Sequence, residues 1–356
     1  MSSEMFYEEY GYPFSGNKLL KLKKFLATEQ LSYDDGIEYT INFCDSKGNI
    51  AATGSVEGNV LKCIAVSQMY QGEGLSAKVV TSLVSYAISK NHGHLFLFTK
   101  TGNKSIFRDL GFYIIAETED VVLMENKKNG ISEYVNSLKS SAGEKLVMDT
   151  GAIIVNCNPF TKGHLYLVET AAKQCDNLHI FVVSEDKSAF PSSIRYKLVK
   201  EGVKHLNNVV VHPTSDYLIS SATFPTYFIK DKYKAGDINC ILDLTIFCEY
   251  FAKELNISKR FVGTEPFDVV TASYNTQMKE FLRKYGIEVI EIKRYEENNH
   301  PVSASGVRKL MTEGRYEEIK KIVPKSTYEF LMSKKGMEIA ERIRSGDVGN
   351  KPQRNS

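Results

Sequence analysis

The sequence contains no Cys-x-x-Cys pair. Its six cysteines (Cys44, Cys63, Cys157, Cys175, Cys240 and Cys248) are scattered, several of them in apolar runs. That spacing argues against a zinc ribbon or a redox pair and for free thiols packed as small hydrophobes. No stretch approaches the ~18 consecutive apolar residues that a membrane-crossing helix needs. The segment Met1 to Pro13 is acidic and aromatic and lacks the charged-then-apolar order of a secretion signal. Charge of one sign is also lacking: 45 Lys and Arg against 43 Asp and Glu leave a net charge of +2. A strongly basic face for nucleic acid is therefore not indicated, although a local patch stays open. No internal repeat or low-complexity tract is present. The expectation is a cytoplasmic protein that contacts neither membrane nor nucleic acid. With 356 residues, 42% hydrophobic and 25% charged, it has material for two or three domains of ~150 residues.

Two patterns of secondary structure follow one another. The first part reads as strands at Ile37 to Cys44, Ile50 to Val56 and Val60 to Val66, with a turn at Asp45 to Asn49. A helix comes next at Leu75 to Ser89, where Leu75, Val79, Leu83 and Ala87 recur at i, i+4, and then a strand at Leu95 to Thr99. After Val121 to Met124 the apolar pattern breaks at Asn126 to Gly130. A helical segment at Ile131 to Leu138 and a polar stretch, Lys139 to Lys145, mark a domain boundary. The second part alternates: strands at Leu146 to Asn156, Leu178 to Ser184, Arg260 to Val262 and Ile287 to Lys293, helices at Leu165 to Cys175, Asp243 to Leu255 and Thr271 to Lys284. Alternation predicts an α/β fold with a mostly parallel, doubly wound sheet, whose ligands bind beyond the carboxyl ends of the strands. The expected domains are 1–130 (α+β), 145–325 (α/β), a helical extension 326–344 and a polar, disordered tail 345–356.

The strongest local feature is Gly151-Ala-Ile-Ile-Val-Asn-Cys-Asn-Pro-Phe-Thr-Lys-Gly-His164. An apolar strand runs into Asn156-Cys-Asn-Pro159, and a helix opens near Thr161. Thr161 suits the N-cap, and its hydroxyl is also a candidate phosphate donor. Gly163 permits close approach of a nucleotide to the backbone. His164 falls in the first helical turn, beside free N–H groups and the positive end of the dipole, a natural phosphate site. The plain alternative for a lone histidine is an ordinary helix-start residue; the strand, the Asn-Pro turn and the Thr-x-Gly-His spacing occurring together weigh against it. Further on stands Val302-Ser-Ala-Ser-Gly-Val-Arg308, before a short helix expected at Lys309 to Thr312. There Ser303 or Ser305 can cap, and Arg308 supplies a permanent cation for phosphate. Phe181 to Ser184 and Phe261-Val-Gly-Thr-Glu-Pro266 end strands at the same expected edge, which brings in Ser184, Gly263 and Glu265; ordinary loop chemistry explains these equally well. Cys157 reads as a buried strand-end thiol.

Thr161-x-Gly163-His164 resembles the H/T-x-G-H motif of the nucleotidylyltransferase superfamily, and Val302 to Arg308 resembles its second motif, I-S-x-[ST]-x-x-R, with Val in place of Ile. In the first part, Gln71-Gly-Glu-Gly-Leu-Ser76 resembles the Q/R-x-x-G-x-G/A loop of GNAT-type acetyltransferases, and Asn103-Lys-Ser-Ile-Phe-Arg-Asp-Leu-Gly-Phe112 that fold's Asn…Leu-Gly-Phe segment. A GNAT-like domain followed by a Thr-x-Gly-His domain resembles one family closely, citrate lyase ligase. The likeness covers nearly the whole chain and includes Phe181-Val-Val-Ser-Glu-Asp186, Ser220-Ser-Ala-Thr-Phe-Pro-Thr226 and Gly263-Thr-Glu-Pro266.

The resemblance implies a GNAT-like domain before a Rossmann-like adenylylating domain, and an ATP-dependent ligase. Acetate and ATP would give acetyl-AMP and pyrophosphate. The acetyl group would then pass to the thiol of a CoA-like prosthetic group on the lyase's acyl carrier subunit. His164, Thr161 and Arg308 are the implied catalytic residues. Asn156, Asn158, Pro159, Phe160, Gly163, Ser184, Gly263, Glu265, Ser303 and Ser305 are implied at ATP, with Mg²⁺ on the nucleotide phosphates. Gln71, Gly72, Gly74, Ser76 and Asn103 are implied at a CoA-like group, for binding rather than acetyl transfer, since that segment offers no evident base. Phe160 and Ser220 to Phe228 are candidate walls of an acetate pocket. Lys230, Lys232 and Lys234 face either an acidic carrier or solvent. The alternative activity is transfer of AMP onto a phosphopantetheine- or nicotinamide-nucleotide-like phosphate. A non-catalytic acyl-carrier adaptor is the reading from a different class.

Overall fold

The computed structural model describes residues 6–34, 36–142, 149–184, 188–218, 232–264, 269–298 and 300–346. The chain divides into two compact units, Met1–Ile131 with Phe224–Leu242, and Ser132–Thr223 with Asp243–Ser356. Glu265, the candidate pocket wall 220–228 and Lys230 lie outside the described residues, as do 347–356 of the polar tail.

The first unit is built on a seven-stranded mixed sheet. Its strands are β1 (Tyr7–Gly11), β2 (Tyr39–Cys44), β3 (Ile50–Glu57), β4 (Val60–Val66), β5 (Phe96–Lys100), β6 (Tyr113–Glu117) and β7 (Val121–Glu125), in the order β1-β2-β3-β4-β5-β7-β6. The helices are α1 (Gly16–Thr28), α2 (Leu75–Ser89) and α3 (Lys104–Asp109). Tyr39, Ile41 and Phe43 of β2 pack with Val79, Val80 and Leu83 of α2. Cys44, Ile50 and Cys63 pack instead with Leu22 and Leu26 of α1. Two separate apolar clusters leave every residue of β2 buried. The polar residues between them are satisfied across the strands: Thr40 Oγ1 lies 2.9 Å from Ser55 Oγ, and Thr53 donates to Asn42 Oδ1 at 2.7 Å. The edge strand β1 and the Lys-rich α1 carry weak patterns and were not foreseen.

The second unit holds a five-stranded sheet in the order β10-β9-β8-β11-β12, with every pairing parallel. In chain order its elements begin with α4 (Gly130–Ala142), β8 (Thr150–Val155), α5 (Lys162–Ala172), β9 (Asn177–Val182), α6 (Ser192–Gly202) and β10 (Val209–Pro213). There follow α7 (Lys232–Ile246), whose residues up to Leu242 count with the first unit, β11 (Ile257–Gly263), α8 (Val269–Arg283) and β12 (Glu288–Ile292). A two-residue hairpin, β13 (Glu296–Glu297) and β14 (His300–Pro301), leads to four helices: α9 (Ala304–Thr312), α10 (Tyr316–Ile322), α11 (Lys325–Leu331) and α12 (Lys334–Arg344). From β8 the chain adds strands on one side, β9 and β10, and then on the other, β11 and β12. The order therefore reverses between β8 and β11, and the crevice at their carboxyl ends is the switch point where ligands of such sheets bind.

Two details depart from the sequence reading. The helix expected at Asp243 to Leu255 continues from α7 through a π-helical turn, Phe247–Ala252. The helix expected at Lys309 begins at Ala304, so Ser303 to Arg308 forms its cap and opening turns rather than preceding it. In the 326–344 segment, Leu331, Ile339 and Ala340 share one core with Phe160, Val168 and Leu198. None of the six cysteines is in a disulfide; five are buried and Cys175 is half-buried.

Candidate active site

Thr161 is the N-cap of α5, with extended backbone (φ −118°, ψ 169°) and a capping box closed by His164. Thr161 Oγ1 accepts the His164 backbone N–H at 3.4 Å, and the Thr161 backbone N–H donates to His164 Nδ1 at 3.1 Å. The Thr161 hydroxyl lies 2.9 Å from the same ring nitrogen. A main-chain N–H can only donate, so Nδ1 accepts, and the neutral imidazole carries its proton on Nε2. Burial, reinforced by the charge of Arg294, pushes His164 down from 6.5 to about 4. His164 is therefore an uncharged Nε2–H donor at neutral pH, at a helix end that favours anions.

Thr161 is 1% exposed, and its hydroxyl is turned to His164. Its place in this geometry is behind the imidazole rather than on a phosphate. Phe160, expected at the nucleotide and as a pocket wall, is fully buried instead. Its ring lies 5.9 Å from the His164 ring at 16°. A Cβ at Gly202 would fall within 2.4 Å of the Phe160 ring, so the ring fills the space that glycine leaves.

The second motif folds back onto the first. Arg308 donates to the Asn158 carbonyl at 2.5 Å across 150 positions of sequence. Partial burial lowers its pKa, yet a guanidinium stays charged at any ordinary pH. Ser303 caps α9 by accepting the Gly306 N–H at 3.0 Å, with Ser305 Oγ 3.1 Å away. A Cβ on Gly163 would stand 3.0 Å from the Val302 carbonyl oxygen. The missing side chain thus serves close approach of the two motifs.

The loop after β8 is held from beneath by Arg195, a side chain with no exposure. It donates to the Asn156 carbonyl (3.0 Å) and Oδ1 (2.8 Å), the Val183 carbonyl (2.6 Å) and the Phe190 carbonyl (2.9 Å). Asn158 Oδ1 accepts the Phe190 N–H at 3.0 Å, and a cis peptide joins Asn158 to Pro159. Ser184 exchanges two hydrogen bonds with Thr214, at 2.9 and 3.1 Å. Gly263 closes β11 across the switch point, its carbonyl accepting from Asn275 at 3.4 Å. Burial pushes the Cys157 thiol up, which keeps it protonated and unreactive. Sequence reasoning missed both Arg195 and Arg294. Arg195 sits among Ile194, Leu198 and Val199 with no spacing to mark it. Arg294 did carry a signal, a basic residue just past a strand that ends at the ligand edge.

The first unit has a cavity of its own. β4 and β5 pair as parallel strands only at Val60–Phe96 and Leu61–Leu97. Beyond that a cavity of about 720 Å³ opens, and Gln71, Gly72, Gly74, Ser76 and Asn103 all line it, with Val66, Phe98 and Phe107 as apolar wall. Gly72 (φ +90°) and Gly74 (φ +71°) both take left-handed backbone, and Gly74 is the N-cap of α2.

A doubly wound parallel sheet, with Thr-x-Gly-His at the carboxyl end of its first strand and a Ser-x-Ser-x-x-Arg segment folded onto it, defines a protein of the nucleotidylyltransferase class. A family model described as the citrate lyase ligase C-terminal domain matches residues 150–331. A [citrate [pro-3S]-lyase] ligase of Klebsiella pneumoniae is 43% identical over 318 residues, 87% of this chain and 92% of that one. Its Escherichia coli counterpart is 39% identical over 89% of this chain and 91% of its own. A phosphopantetheine adenylyltransferase of Streptococcus gordonii is 26% identical over 44% of this chain and 99% of its own. The chain belongs to the citrate lyase ligase family.

Proposed function

We propose that the chain activates acetate with ATP and acetylates the thiol of a CoA-like prosthetic group on the citrate lyase acyl carrier subunit. An acetate oxygen attacks the α-phosphorus, the α–β bridge breaks, and acetyl-AMP and pyrophosphate result. The carrier thiol then attacks the acetyl carbonyl, the thioester forms and AMP leaves. The observation that carries this reading is the meeting of two distant motifs at the switch point, Gly163 against Val302 and Arg308 on Asn158, in a chain of this family.

In-line transfer asks the protein for position and charge rather than for covalent chemistry. The His164 Nε2–H is assigned to the phosphates, with Thr161 fixing its tautomer. Arg308, Ser303 and Ser305 are assigned to the β- and γ-phosphates, and Asn156, Asn158, Pro159, Gly163, Ser184, Gly263 and Glu265 to the rest of ATP. Among the described residues no group of three or more His, Cys, Asp or Glu side chains can hold a metal. In this reading Mg²⁺ arrives on the nucleotide phosphates as part of the substrate. The attacking thiol belongs to the carrier, so no cysteine of this chain is needed. The cavity of the first unit is assigned to the CoA-like group, as a binding site rather than a transferase centre.

A pyrophosphate-release assay tests the reading. Release should require both ATP and acetate, and thioester should appear on deacetylated carrier. Release driven by a phosphorylated small molecule and indifferent to acetate would sink it. No described helix is long and apolar enough to cross a membrane, and a cytoplasmic location is part of the same proposal.

A further inference from the structure

Arg294 belongs to neither motif, yet the fold delivers it to both. It follows β12 by two residues, at the carboxyl edge of the sheet. Its backbone N–H donates to Thr264 Oγ1 at 3.3 Å, which ties it to the end of β11 across the edge. The next residue, Tyr295, packs its ring 5.6 Å from Tyr166 on α5. The Tyr295 carbonyl accepts the Val302 N–H at 3.1 Å, and Val302 is the residue whose carbonyl Gly163 approaches. The β13–β14 hairpin makes this return, pairing Glu296 with Pro301 and Glu297 with His300. Residues 294–295 are thus wedged between the end of β11, the opening of α5 and the start of the second motif. From there the Arg294 charge reaches His164 and helps to keep its imidazole neutral.

A neutral imidazole offers a phosphate only a dipole. When the α–β bridge of ATP breaks, negative charge grows on the departing pyrophosphate, and permanent cations are what offset it. Arg308 supplies one from α9. We propose that Arg294 supplies a second, its guanidinium binding the pyrophosphate half of ATP and holding it as it leaves. This rests on the adenylylation reading above.

The test uses the full chain, with ATP, inorganic pyrophosphate and AMP as separate probes in calorimetry. Arg294→Gln should weaken ATP and pyrophosphate by ~tenfold or more and leave AMP within about twofold, since the lost contact is to β- or γ-phosphate. Arg294→Lys should recover part of the loss by retaining the charge. The His164 titration, followed by NMR, should move upward in Arg294→Gln as a neighbouring cation disappears. In the unaltered protein, pyrophosphate should protect Arg294 from phenylglyoxal, located by mass spectrometry, and AMP should not. That arm does not depend on how any variant folds. Unchanged pyrophosphate affinity in a folded Arg294→Gln protein, or modification of Arg294 indifferent to pyrophosphate, overturns the assignment. The binding arms contain no acetate, so a wild-type protein that binds ATP and pyrophosphate but ignores acetate condemns the acetate reading instead.

Discussion

At the scale of the residue, the decisive pair is Thr161 and His164. Three contacts among four atoms of Thr161 and His164 assign the imidazole proton to Nε2. Thr161→Val keeps the shape and removes the hydroxyl. It should lower α5 stability by ~1 kcal/mol as a lost cap and reduce the rate of acetate-dependent pyrophosphate release, while Thr161→Ser restores both; equal rates for Val and Ser would show that the hydroxyl does not act on the ring. His164→Ala should abolish most of that release with little change in melting temperature. Because His164 is held near 4, the pH–rate profile should lack a histidine limb near 6.5, and any acid limb that belongs to it should lie near 4. Arg308→Lys should cut kcat/KM for ATP roughly tenfold to hundredfold, the range of a lost charge-assisted hydrogen bond. Thr161, His164 and Arg308 were legible as residues from their spacing. The direction of the Thr161 hydroxyl was not, because cap and phosphate contact draw on the same oxygen. Phe160 shows the same limit, since an aromatic beside a motif looks alike whether it faces a ligand or the core.

At the scale of the element, strand ends and helix starts do the positioning. β8, α5 and α2 were legible from apolar periodicity and from glycine and threonine at their boundaries. The start of α9 was misplaced by five residues because its first turn, Ala304-Ser-Gly-Val307, has little apolar content; the Ser303 cap, satisfied by Gly306, begins it there. Gly163→Ala should force α5 from the Val302 carbonyl, which stands 3.0 Å from the added Cβ. Activity should fall more than stability does, read as kcat against melting temperature. Gly74→Ala meets no neighbouring atom but inherits a φ of +71°. It should destabilise the first unit by ~1 kcal/mol through backbone strain and weaken binding of the carrier's prosthetic group, measured by titration with the isolated carrier.

At the scale of the whole molecule, a buried histidine pair links β9 to β10. Asn177 Nδ2 donates to His179 Nε2 at 3.2 Å, so His179 donates from Nδ1 to His212 Nε2 at 2.8 Å. Protonating either acceptor nitrogen would set two donors face to face. Burial holds His179 near 4 and His212, with His179 beside it, near 3, both down from 6.5. Folded values below the unfolded one mean that the unfolded chain binds more protons in between. Stability should be flat above pH 6.5 and decline as pH falls from there toward 4, with His164 adding to the slope. Denaturant midpoints across that range measure it, and His179→Gln with His212→Gln should flatten the decline.

The sequence by itself determined the local pieces: an α/β alternation, two glycine-bearing loops that open helices, and the spacing of Thr161, His164 and Arg308, because capping, periodicity and turn chemistry act over a few neighbouring positions. Only the tertiary structure decided which of those pieces meet. The reversal of strand order between β8 and β11, the return of 294–302 along the edge of the sheet, and the burial of Arg195 beneath Asn156 are contacts between distant segments. Their free energy comes from shared burial and from polar groups paired across the fold, and no local pattern encodes it.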